Sequence, residues 1–322
     1  MNPLMRSWFP GMLRASVLSI LIVAAPLALR AQWLANVGAE SADEGRQADA
    51  FLSNEIWIHA GDNITWTFVP VNEIHTVTFL TPGQVRPAFG ACVAASGSSF
   101  DGTSCVGSAP SSNGAKYTVT FPTAGNYKMV CLVHANMNGA VHVLPTSMSL
   151  PHTQSFYDTQ AGDQARDLIN DADGAMEEAH DFGAGANAVV MHGEIRATTG
   201  GRQYLAILRF LPGKIVVRVG DSVEWMNTDP TEPHTVTFGP PSFAPVGVTT
   251  AADGSLESTI NSTSAAVSSG ILVAAPEDRR GLAQSPLGTT RVRITFTQPG
   301  TYQYFCSIHA ATGMKGTVQV VP

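Results

Sequence analysis

Two sets of metal-ligating side chains stand out in this chain: His75, Cys131, His134 and Met137, and then His234, Cys306, His309 and Met314. A thiolate, two imidazoles and a thioether are soft and borderline donors. Two histidines and a cysteine in a trigonal set, with a weak methionine on the axis, define a blue copper site that passes single electrons. In the run His75-Thr76-Val77-Thr78-Phe79 the histidine shares a strand face with Val77 and Phe79, and in Tyr127-Lys128-Met129-Val130-Cys131 the cysteine shares one with Tyr127 and Met129. Both donors therefore point inward. The loop after each cysteine supplies the second histidine and the methionine.

The elements that must position these donors are themselves repeated. Residues 55–79 align without a gap to residues 214–238, with ten of the 25 positions identical, and residues 117–134 match residues 292–309. Apolar residues alternate with period two (Ile56/Ile58, Val77/Phe79, Val119/Phe121, Val141/Val143) and are broken by Gly-Asp and Pro-Gly or Ala-Gly turns, so the elements are strands. An all-β protein with two antiparallel sandwiches is expected. The repeat also separates the eight candidate ligands from ordinary core residues. His59 aligns with Arg218 and His142 with Gln319, while His152, His180 and His192 fall outside the paired blocks. Gly/Ser-rich stretches at 90–114 and 247–275 occupy the same place in both copies and read as surface insertions. Cys92 and Cys105 enclose a loop in the first of them and have no counterparts in the second, which predicts a disulfide. The alternative, a further thiolate metal site, lacks neighbouring histidines.

The segments CLVHANM and CSIHAATGM, each downstream of HTVTF, resemble the copper-binding loops of the cupredoxin family, the blue type 1 copper proteins. The first loop has the short spacing of amicyanin and the second the longer spacing of plastocyanin. The resemblance covers residues 51–145 and about 188–322. It implies a Greek-key β-sandwich in each half, one type 1 copper per half cycling between Cu(I) and Cu(II), and redox protein partners that dock near exposed edges of His134 or His309. The family usually has proline just before the second histidine, whereas this chain has Val133 and Ile308, so an extra backbone N–H is available near each thiolate.

Composition narrows the remaining classes. Charged residues make up only 13% and the net charge is −7, which removes the basic footprint that nucleic-acid binding needs. Arg6 and Arg14 precede an apolar run, Ala15 to Leu29, with small residues beyond it. That pattern predicts a secretory signal over 1–31, a periplasmic or extracellular destination, and no membrane span once the signal is removed. The expected domains are 32–150 and 188–322. The linker between them, 151–187, is acidic and helical, with Ala161, Ala165, Leu168, Ile169, Ala172, Met176 and Ala179 on one face and a solvated acidic face that suits a basic partner. The function expected is electron transfer without catalysis. Copper storage or delivery is the alternative, and a two-domain copper oxidase or nitrite reductase is a lesser one, because further copper centres need a histidine beside the cysteine or H-x-H pairs and this chain has neither.

Overall fold

The computed structural model describes residues 30–183, 187–274 and 289–322, with side-chain burial undescribed over 179–186. The expected signal lies outside the described residues up to Leu29, as do the side chains of Ala179 and His180. Among the described residues no helix is long and apolar enough to cross a membrane.

The chain forms β-sandwiches with a single long helix, and each repeat builds its own core. In the first, Trp66, Phe79, Phe100 and Phe121 are fully buried; in the second, Trp225, Phe296, Tyr302 and Tyr304 hold the same office beside Phe238. Strand burial alternates as the period-two pattern requires, for example along Asn138–Leu144 and Ser222–Asn227. The pairing is mixed and not purely antiparallel. Glu55–His59 runs parallel to Asn138–Leu144, and Gln32–Glu40 parallel to Asn63–Phe68; Lys214–Arg218 with Lys315–Val321, and Ala188–Ala197 with Ser222–Asn227, repeat the arrangement. Parallel neighbours arise because the chain crosses from one sheet of the sandwich to the other between consecutive strands.

The Gly/Ser-rich stretches are more than surface insertions. The first contributes Phe100 to the core and a strand, Val106–Gly107, that pairs with Thr78–Phe79; the second contributes Leu256, Ile260, Val267 and Leu272. A few apolar residues set among many small polar ones suffice to cover a sheet. The disulfide Cys92–Cys105 closes the first stretch.

Two hairpins outside the repeat blocks join the halves. Arg46–Leu52 pairs antiparallel with Arg202–Leu211, Tyr204 opposite Asp49 and Ile207 opposite Arg46, so one sheet runs through both halves. The helix Gln154–Gly183 lies on that shared sheet. Its Ala161, Leu168, Ala172 and Ala175 are buried against Ala48, Ala50, Leu52, Val190, Leu205 and Ile207, while Ala165, Ile169 and Met176 pack partly buried at the margin. The expected apolar face is there, but the helix covers the junction and does not merely space the two halves. Part of the acidic face is spoken for within the chain, since Asp173 pairs with Arg46 and Asp171 with Arg196.

Candidate metal centres and the carboxylates between them

Each first histidine enters its site from an extended segment held on both sides. His75 donates its N–H to Ser111 O at 3.0 Å and accepts from Ser111 N at 2.9 Å; His234 does the same with Leu272 at 3.0 and 2.7 Å. The partners come from the Gly/Ser-rich stretches, which therefore pin the histidines. The following threonine ties the histidine segment to the cysteine loop: Thr76 Oγ1 accepts from Leu132 N and Thr235 Oγ1 from Ser307 N, both at 2.7 Å. Gly38, at φ +70°, passes close behind His75. A Cβ there would sit 2.8 Å from His75 Nε2 and 2.7 Å from Pro70 Cγ, so only glycine meets both the conformation and the space.

These constraints bring the predicted donors together. In the first half His75 Nδ1 and His134 Nδ1 are 3.0 Å apart, and Cys131 Sγ is 3.8 Å from His134 Nδ1. In the second, His234 Nδ1 and His309 Nδ1 are 3.2 Å apart, with Cys306 Sγ 3.9 and 3.6 Å from them. An ion bonded at about 2.0 Å to imidazole nitrogen and about 2.3 Å to thiolate sulfur would separate its ligands by roughly these amounts. The donor sets therefore fit a copper ion. Met137 and Met314 are fully buried beside them, and their carbonyls accept from Cys131 N and Cys306 N at 3.0 and 3.1 Å, which folds each loop back over its cysteine. The N–H groups that reach Cys131 Sγ belong to Thr76 and His134, at 3.4 and 3.5 Å, and Thr235 N approaches Cys306 Sγ at 3.3 Å. The Cys131 thiolate is thus stabilised from both the histidine strand and its own loop, and the Cys306 thiolate from the histidine strand, the loop donor being His134 and not Val133. Burial alone would raise both thiols, but the charge of His134 and hydrogen bonds from His134 and His75 hold Cys131 well below its ordinary range, and His309 and His234 do the same for Cys306.

The other ring nitrogens all turn toward carboxylates. His134 Nε2 lies 3.2 Å from Glu73 Oε1 and 3.4 Å from Glu232 Oε1; His309 Nε2 lies 3.4 Å from Glu232 Oε2. His75 Nε2 is 3.7 Å from Asp49 Oδ1 and His234 Nε2 is 3.7 Å from Asp229 Oδ2. Asp229 is fixed in turn by Tyr204 and by the N–H groups of Thr231 and Glu232. An imidazole that gives Nδ1 to a metal carries its proton on Nε2, and a carboxylate there sets the ring's tautomer and orientation. Asp49 is buried so deeply that its carboxyl is pushed up to about 7, against the pull of His134 and His75.

Sequence analysis does not single out these four acids. Glu73 and Glu232 were nonetheless detectable, because they are identical positions of the repeat two residues before His75 and His234. Asp49 lies outside the repeat blocks and left no such trace.

His134 and His309 do not present exposed edges. They are 2% and 3% exposed and line, from opposite halves, one cleft of about 400 Å³ with Glu73, Glu232 and apolar walls that include Phe89 and Phe243. Docking of the halves covers both imidazoles. Of the five unshared histidines, the four whose side chains are described do not join the sites: His142 stacks on Trp57 and contacts Glu55, His152 stacks on Phe156, His59 bonds to Met148 O and His192 to Thr228.

A family model, Copper binding proteins, plastocyanin/azurin family, matches residues 197–321. Among solved structures, the oxidized plastocyanin of Dryopteris crassirhizoma is 21% identical over 42% of this chain and 99% of its own, at a TM-score of 0.23. A Cu(I) mutant of amicyanin is 19% identical over 35% of this chain and 82% of its own, at 0.25. By the family model alone, the stretch that carries His234, Cys306, His309 and Met314 matches the plastocyanin/azurin family of copper binding proteins.

Proposed function

We propose that the protein is an exported electron carrier with two type 1 copper centres, one held by His75, Cys131, His134 and Met137 and the other by His234, Cys306, His309 and Met314. The observation that carries this reading is the recurrence of one buried Cys/His/His cluster in both halves, each with a buried methionine from the same loop. Copper bound there supplies a one-electron couple. The chain's own residues keep both oxidation states in one geometry: threonines lock the loops, backbone N–H groups stabilise the thiolates, and carboxylates orient the imidazoles. Such pre-set ligands favour electron transfer over storage or delivery, which require ligands that open to exchange. The domains of the carrier are 32–150 and 188–322, with 151–187 as the helical cover. Export agrees with the disulfide, which belongs to an oxidising compartment. A redox protein partner would meet the cleft shared by His134 and His309, and a basic one would suit the outward acids of the helix.

The test is the copper content and visible spectrum of the purified protein, followed by a challenge with a copper chelator. Two coppers per chain, an intense thiolate charge-transfer band and copper retained through redox cycles are expected. Ready loss of copper to the chelator would favour delivery, and a further copper beyond two would favour an oxidase or reductase.

A further inference from the structure

Among the described residues, Glu232 is the carboxylate that lies against candidate copper-binding histidines of both halves, Oε1 near His134 and Oε2 near His309, each at 3.4 Å. It is 4% exposed, and its backbone N–H is anchored at 2.7 Å on Asp229, itself fully buried. Its repeat counterpart Glu73 lies 3.2 Å from His134 Nε2. The junction adds its own restraints: Asn136, in the first cysteine loop, bonds to Thr231 beside Glu232 at 2.9 Å and accepts from Arg202 at 3.1 Å. Arg209 bonds to Thr312 O in the second cysteine loop at 2.8 Å and to Asp43 O of the first half at 2.6 Å. Both loops are thereby held against the partner half.

Resting on the two-copper reading above, we propose that Glu232 is a shared bridge between the two centres: one carboxylate orients an imidazole of each, and electrons pass between the halves through it. The path consists of one imidazole, a 3.4 Å ion-pair contact, the carboxylate, a second 3.4 Å contact and the other imidazole. In the exchange one copper is oxidised from Cu(I) to Cu(II) as the other is reduced from Cu(II) to Cu(I), with no proton and no outside reactant consumed. The carboxylate also places a negative charge beside both centres, which favours the oxidised ion in each. An electron delivered at the cleft therefore reaches either site, and the pair behaves as a two-electron unit.

Glu232→Gln keeps the size but offers one acceptor in place of two and removes the charge. Copper content and blue absorbance of this variant and of the native protein test the underlying reading. Potentials of each centre alone, measured with and without Glu232→Gln in the Cys306→Ser and Cys131→Ser backgrounds, test the bridge. Exchange in the two-copper protein is followed after a reductive pulse that delivers one electron per chain. Two coppers retained, both potentials raised and concentration-independent exchange slowed at least about tenfold are expected. Glu232→Asp, which keeps the charge but shortens the reach, should slow exchange with a smaller shift in potential, and it serves if the glutamine variant does not fold. A shift confined to one centre or unaltered exchange in both variants would overturn the bridge while leaving the copper reading intact; a third metal bound by Asp49, His134 and Glu232 in the native protein would overturn the bridge and, if it were copper, would also favour the oxidase or reductase. Absence of blue copper from the native protein would overturn both.

Discussion

Ligands of one kind do different work, and substitution separates them. On the two-copper reading, Cys131→Ser and Cys306→Ser should each remove about half of the blue absorbance. An unchanged spectrum in either variant would dismiss that cysteine as a ligand. Met137→Leu or Met314→Leu should leave a coloured, copper-loaded protein with a shifted potential, whereas His75→Ala should impair binding itself. Equal loss of copper in the methionine and histidine variants would contradict the axial role. Thr76 tests the frame around the ion. Its hydroxyl accepts from Leu132 N at 2.7 Å in a buried setting, so Thr76→Val strands that N–H and should cost about 1–3 kcal/mol in urea unfolding of the metal-free protein.

Elements differ in how plainly the sequence announces them. The strands and the eight donors were legible because the chain states them twice, with period-two apolar positions around each histidine and cysteine. The Gly/Ser-rich stretches were not, since Phe100, Leu256 and Ile260 are isolated among small polar residues and only the folded sheet shows what they cover. The role of the helix was half legible: its apolar face could be read from spacing, but its seat depends on Arg46–Leu52 meeting Arg202–Leu211, a pairing between distant segments with no local signature. Burial of His134 and His309 follows from the same long-range contact and was hidden for the same reason. Two consequences are measurable. Replacing Cys92 and Cys105 by serine releases a loop of 13 residues' separation and should lower stability by about 3 kcal/mol. Leu168→Ala, at 2% exposure in the centre of the helix seat, should cost about 2–5 kcal/mol, and a cost near zero in denaturant unfolding would mean the helix is not packed there.

At the scale of the molecule, the two-copper reading takes up eight donors in two sets of four, and the remaining described histidines are engaged one at a time elsewhere. Steady-state assays with nitrite under reductant, and with oxygen plus phenols, should therefore show turnover well below about 1 per second; ordinary enzymatic rates would overturn the carrier reading. The shared sheet has a further implication for how such a chain can be divided. Arg46–Leu52 and Arg202–Leu211 meet antiparallel, as two identical strands would about a two-fold axis. A chain stopped after Leu150 would leave Arg46–Leu52 as a bare edge, with Ala48, Ala50 and Leu52 stripped of their cover. That fragment should pair with itself through this edge, re-creating as a homodimer the junction that the full chain makes internally. Light scattering on the fragment would reveal a dimer, and the two halves of the present protein would then read as protomers of an older symmetric pair, fused end to end.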